Sequence, residues 1–255
     1  MEIYKIPACW PTSFFNGIPL TDMLLRENLL NKKYSSFQSS SAKLDPTLID
    51  FIFQFCKVAN LTSETAQASL LAFDYYINNE KDLKKYDLQL VAMTCILVCS
   101  KMFDMNSLSL NTLHRISAHI YNNAMVLNCE QHILTILDYD LFFRDNLIID
   151  RVGLFLENVS FFFEEKDFKQ FTHLCYKISN LLFEDMKLIK GVDFNLLCAG
   201  IIQAGLVIAT KREGKLPITI KICIISGTKD DDVLKISQKI IKHCLGKQIY
   251  KQFTF

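Results

Sequence analysis

The sequence predicts an all-α protein made of two tandem five-helix repeats preceded by a short N-terminal arm. Three observations predict it. Glycine and proline are scarce, eight and five in 255 residues, whereas sheets joined by tight turns consume both. Apolar residues recur at helical spacing in segment after segment from Leu44 onward. A central apolar helix also occurs twice: Leu90–Lys101 aligns without a gap on Gly200–Lys211 at an offset of 110 residues, the mark of a duplicated unit. The expected organisation is an arm and Ser-rich linker over 1–43, a first repeat over 44–145 and a second over 146–255.

The elements follow in order. The arm holds three of the five prolines and the only Trp, Trp10, with a short amphipathic helix over Leu20–Leu30 and then the serine-rich stretch 35–41, read as a flexible spacer. Asp45-Pro46 opens the first body helix, with Pro where its missing N–H costs nothing; Leu48, Ile49, Ile52, Phe53, Phe55 and Cys56 supply its inner face. Thr62-Ser63-Glu64-Thr65 starts a helix through Ile77. Asp87 caps a third, Leu88–Met102, apolar on nearly all sides and therefore central. Ser109 or Asn111 starts a fourth, and Asn122 or Asn123 a fifth that runs to Tyr139. The second repeat is expected as helices over 146–157, 168–187, 196–212, 218–226 and 232–250. Its small residues Gly200, Ala204, Gly205 and Ala209 admit close helix neighbours.

Composition excludes several classes. Half the chain is hydrophobic and 22% is charged, enough to bury a core. With 28 Lys+Arg against 27 Asp+Glu there is no bulk electrostatic drive toward nucleic acid or a membrane. The lysines 235, 239 and 242, on one helix face, read as a solvated surface. Nine cysteines, an odd number scattered along the chain, read as small buried hydrophobes in a reducing compartment. No pair has zinc-site spacing. The opening Met1-Glu2-Ile3-Tyr4-Lys5 has no apolar signal region. The longest apolar stretch, Leu196–Ala209, has 14 residues where a bilayer span needs about 20. No glycine-rich phosphate loop, HExxH or GxSxG motif occurs. The five histidines, 114, 119, 132, 173 and 243, do not share a face. No catalytic residue, metal or cofactor is expected.

Against that background, Leu88–Lys101 followed by Cys129–Leu141 resembles the cyclin box. The first segment is similar to the third cyclin helix, which ends in Ser-Lys. The second is similar to the fifth, where a Glu precedes two apolar turns and an aromatic-Asp-Leu end. The resemblance implies a cyclin fold over 44–255 and a non-catalytic regulatory subunit forming a heterodimer with a cyclin-dependent kinase. It implies that Lys101 and Glu130, side by side on adjacent helices, grip the backbone at one end of a kinase helix. Val98, Met102, Leu134, Tyr139 and Leu141 then line the apolar docking pocket. Lysine offers only donors and ionised glutamate only acceptors, so the pair serves a carbonyl and an amide together.

The chain departs from the family pattern where substrates dock. The usual Met-Arg-Ala-Ile-Leu run is replaced by Leu44-Asp45-Pro46-Thr47-Leu48, and Phe51 stands for a Trp, although Gln89 is kept. The strings Asp193–Ala204, Ile224–Thr228, Ile240–Gly246 and Leu48–Phe53 resemble a group of meiotic cyclin-like proteins that promote crossover maturation. That implies a nuclear, chromosome-associated setting and meiotic recombination partners. The alternatives are a kinase-independent cyclin-fold adaptor, a divergent cell-cycle or transcriptional cyclin, and a DNA-binding factor built on two such repeats. Arg26-Glu27-Asn28-Leu29 matches a short degradation signal.

Overall fold

The computed structural model of the chain describes residues 45–80, 88–139, 147–184, 192–211 and 216–246. The arm, Asp87, Leu141 and the segment after Gly246 lie outside them, and with them the expected helix over 20–30. The described residues form ten α-helices, and no strand occurs among them. They fall into two compact units, which part at Leu147/Ile148, except that Phe183 and Glu184 group with the first.

In the first unit α1 spans Pro46–Val58, α2 Ser63–Asn79, α3 Leu88–Phe103, α4 Leu110–Ile116 and α5 Asn123–Ile136. Their starts are set by side chains that accept orphan N–H groups. Asp45 accepts from the Thr47 amide at 3.0 Å, Ser109 from Thr112 at 3.1 Å and Asn122 from Met125 at 2.9 Å. Every residue of α3 from Leu90 to Ser100 is buried. Because no face of it is polar, α1, α2 and α5 pack around it.

Three of these helices end in left-handed residues that are not glycine. Asn60, Ala118 and Asp138 have φ of 56°, 51° and 59°. The following amides of Leu61, His119 and Tyr139 reach back five residues, to the carbonyls of Cys56, His114 and Leu134, which closes each helix as a Schellman motif does. This corrects the expected end of α5. The helix stops at Ile136, and Tyr139 stands in a left-handed turn with φ 56°.

The second unit holds α6 (Ile148–Glu157), a 3₁₀ turn at Ser160–Phe162, α7 (Glu165–Glu184), α8 (Phe194–Thr210), α9 (Pro217–Ser226) and α10 (Asp230–Gly246). Here α8 is the central helix, buried from Leu197 to Leu206 and packed by α6, α9 and α10. Its buried Gln203 accepts from the Thr219 hydroxyl at 2.6 Å, and that hydroxyl accepts from the Leu216 amide at 3.1 Å, so one buried polar pair fixes the start of α9. Buried Arg151 donates to Asn195 at 3.3 Å and lies 5.4 Å from the Phe194 ring centroid, pinning α6 to α8. The 168–187 helix begins three residues earlier than expected. Glu165 and Asp167 suit its first turn, and Glu165 pairs with Lys169 at 2.6 Å. Asp230, Asp231 and Asp232 likewise fill the first turn of α10.

The small residues of α8 act as expected at two positions. A Cβ on Gly200 would strike Ile236 of α10, and one on Gly205 would lie 2.9 Å from Cys175 Sγ and 3.1 Å from Phe171 of α7. Both aligned segments are buried central helices, but their ends differ: Lys101 lies inside the last turn of α3, whereas Lys211 is a left-handed cap after α8. Gly200→Val should lower stability in urea by about 2–3 kcal/mol, because the added carbons collide with the buried, β-branched Ile236.

Candidate functional site

Burial of α3 from Leu90 to Ser100 leaves only its two ends in solvent, Gln89 at the start and Lys101 and Met102 at the finish. There Lys101 also complements the helix dipole. Lys101 Nζ lies 2.5 Å from Glu130 Oε1 of α5, with the two side chains 47% and 15% exposed. An ion pair this open contributes only about 0–1 kcal/mol to folding. Its two groups are set side by side with donor and acceptor capacity to spare.

Several contacts hold these helices in place, and none was visible in the sequence pattern. Asp104, just past α3, accepts from the Thr62 amide at 2.9 Å and the Thr65 hydroxyl at 2.5 Å. The residue that ends one helix therefore caps the start of α2. The Ser100 hydroxyl donates to the Leu97 carbonyl at 2.8 Å and accepts from the Leu108 amide at 3.0 Å, which folds the following loop back. His132 of α5 lies 2.8 Å from the Tyr76 hydroxyl through Nδ1 and 3.2 Å from Glu80 through Nε2, fastening α5 to the end of α2. The signal for such links is a polar residue flanking an apolar helix, which does not disclose its partner.

The other residues proposed from sequence divide. Met102 is 53% exposed and Tyr139 66%, while Leu134 is half-buried. Val98 is 3% exposed and belongs to the core; it supports the surface from beneath and does not line it. The reason is that α3 has no outer face at that turn. Leu141 lies outside the described residues. Sequence reasoning passed over Met105, Ile120, Met125 and Leu127, all exposed apolar side chains of this unit. On α5 only Val126 and Ile133 are buried, so much of its apolar surface has no partner within the described residues.

Where substrate docking was in question, Asp45 is committed to capping α1. Phe51 is half-buried and packs at 5.9 Å against Phe55. The Gln89 carbonyl oxygen accepts from the Tyr121 hydroxyl at 3.3 Å. Asp45, Phe51 and Gln89 each thus make a contact within the chain, while Pro46 and Thr47 are exposed. Lys235 is paired with Asp232 at 3.6 Å. No group of three or more His, Cys, Asp or Glu among the described residues is arranged to hold a metal, and no helix there is long and apolar enough to cross a membrane.

Comparison with known proteins follows this geometry. Residues 20–142, which include Lys101 and Glu130, match the family described as "Cyclin, N-terminal domain". G2/mitotic-specific cyclin-B of Hydra viridissima is 26% identical over 117 residues, covering 46% of this chain and 30% of the relative. The Hydra vulgaris protein of the same name is also 26% identical over 117 residues, 32% of its own length. The matched part thus amounts to about a third of these relatives. Among solved structures, a viral cyclin from herpesvirus saimiri superposes with a TM-score of 0.69 at 20% identity, covering 88% of this chain and 96% of that one. The yeast RNA Pol II CTD kinase CTDK-1 complex contributes a chain with a TM-score of 0.52 at 12% identity, covering 91% and 72%. The fold is therefore the cyclin fold. The first half of the chain carries the likeness to cyclins in sequence as well.

Burial pushes up the thiols beneath the site. Cys56 is raised to about 12 by burial, then by the neighbouring Cys99 and Asp104. Cys99 also stands at about 12 because burial outweighs its hydrogen bond with Ser69. In the unfolded chain these thiols ionise near 9.0, so between about pH 9 and 12 unfolding releases protons that the fold retains. Their contribution is complete below pH 9 and is lost as pH rises toward 12, by up to about 1.4 kcal/mol per pH unit for each thiol. Urea melts at pH 8 and pH 10 should show this fall. In Cys99→Ala the drop between the two should be smaller by about 1.4 kcal/mol, whatever the cavity does to absolute stability.

Proposed function

We propose that this chain is a cyclin: a non-catalytic regulatory subunit that binds a cyclin-dependent kinase through Lys101, Glu130 and the apolar groups around them. The observation that carries the reading is the Lys101–Glu130 pair at 2.5 Å. It contributes little to the fold; Met102, the residue after Lys101, is exposed, Leu134, one turn past Glu130 on α5, is half-buried, and Tyr139 just past that helix is exposed. A peptide segment laid there meets a donor and an acceptor for its backbone and apolar surface for its side chains. A kinase helix held in this way keeps the Lys–Glu ion pair that positions ATP. The match to the cyclin N-terminal domain and the cyclin-B relatives support the same reading.

The setting we infer is the nucleus, at sites of meiotic crossover formation, with recombination proteins as further partners. The strings of α1, α8, α9 and α10 that resemble the meiotic cyclin-like group support it. The engaged state of Asp45 and Gln89 agrees with a cyclin that does not recruit a general cell-cycle substrate list. A second reading, a kinase-independent adaptor, draws on the same pair, since Lys101 and Glu130 already satisfy one another in the free chain.

Co-purification with a panel of cyclin-dependent kinases separates the two. Wild type should retain a kinase, and Lys101→Ala/Glu130→Ala should weaken its binding by about tenfold or more. The double variant should keep wild-type helicity and melting, because the pair is too exposed to carry the fold. Equal recovery from both discards the docking assignment, and a folded wild type that retains no kinase favours the adaptor.

A further inference from the structure

We propose that Met102 and Met105 are sites of reversible oxidation, and that converting them to sulfoxides releases the partner docked beside Lys101. The inference rests on the docking reading above and adds a regulatory chemistry to it. Four methionines lie among the described residues, and they divide sharply. Met93, in the middle of α3, is wholly buried. Met102, one residue past Lys101, is 53% exposed, Met105 is fully exposed and Met125 of α5 is 42% exposed. The second unit has no methionine among its described residues. Among the described residues the thioethers therefore all lie on the unit that carries Lys101 and Glu130, two of them within four residues of the lysine.

The thiols of the same unit offer little competition. Cys56, Cys95 and Cys99 are buried, and burial keeps them protonated at neutral pH, whereas the thiolate is the form that reacts. Cys129 is half-buried and is the one thiol of the unit that a test has to remove.

The oxidant is a peroxide. The thioether sulfur attacks one peroxide oxygen, the O–O bond breaks, and sulfur loses two electrons as it gains that oxygen. The other oxygen leaves as water, with the two peroxide protons. A thiol-dependent sulfoxide reductase reverses the step: two thiols become a disulfide, and the sulfoxide oxygen leaves as water. The product side chain is polar where the docking surface needs an adaptable apolar one. A partner that buries it must also bury an S=O group lacking a hydrogen-bond donor.

The test uses the full chain and the cyclin-dependent kinase that co-purifies with it untreated. The chain alone is treated with hydrogen peroxide, the peroxide is removed with catalase, and oxidised methionines are mapped by mass spectrometry before the kinase is added. Met102 and Met105 should gain oxygen while Met93 remains a thioether. Affinity should fall about tenfold as they do, and methionine sulfoxide reductases should restore it. In a Cys129→Ser background, Met102→Leu/Met105→Leu should hold its own untreated affinity through the same treatment. Oxidation of both methionines with affinity unchanged overturns the proposal. So does a loss that persists in the Leu variant, or one that tracks Met125 instead. If the untreated chain binds no kinase, the docking reading itself falls and takes this inference with it.

Discussion

Burial of α3 on every side is the constraint from which the rest of the first unit follows. Eleven consecutive residues, Leu90 to Ser100, are withdrawn from water, and each large apolar side chain among them is worth roughly 1.5–3 kcal/mol when fully buried. That gain requires neighbours around the whole circumference, and α1, α2 and α5 supply them. A helix enclosed in this way meets solvent only where it ends. Lys101 occupies that end, and α5, packed alongside, brings Glu130 to it. The Lys101–Glu130 pair is thus a by-product of how the core is built. The same logic organises the second unit around α8, but there the terminal lysine is a left-handed cap after the helix.

Much of this was legible in the sequence because it rests on local chemistry. Pro46 after Asp45, the hydroxyls of Thr62 and Ser109 and the amide of Asn122 announce helix starts, and each does so in the structure. The gap-free repeat revealed both central helices, and the 29-residue spacing of Lys101 and Glu130 was readable once the two segments were recognised as adjacent helices. What was not legible depended on backbone choices or on distant partners. α5 stops at Ile136 because Asp138 and Tyr139 adopt left-handed conformations, which those residue types do not announce as glycine would. Val98 has a neighbour's place in the sequence and a core residue's place in space. Asp104, Gln89 and His132 each bond a residue at least 32 positions away, beyond what any local pattern encodes.

The polar links around the site share a character. Asp104 on the start of α2, Ser100 on its own following loop and His132 between Tyr76 and Glu80 all tie down the ends of helices whose middles are held by apolar packing. These links tie down the helix ends that carry Lys101 and Glu130; in the docking we propose, a partner would meet an arranged pair and lose less freedom on binding. Met102 and Met105 nearby are of another kind, exposed flexible thioether side chains that become polar when oxidised. In the complex we propose, fixed polar groups set the register and soft apolar groups supply contact area.

The most direct test of this account is hydrogen–deuterium exchange on the full chain, alone and with a cyclin-dependent kinase that it retains. Docking at the end of α3 and along α5 predicts slowed exchange over residues 101–109 and 123–136, with residues 216–246 unchanged. Slowed exchange confined to α9 and α10, with the Lys101–Glu130 region exchanging as it does in the free chain, would contradict it.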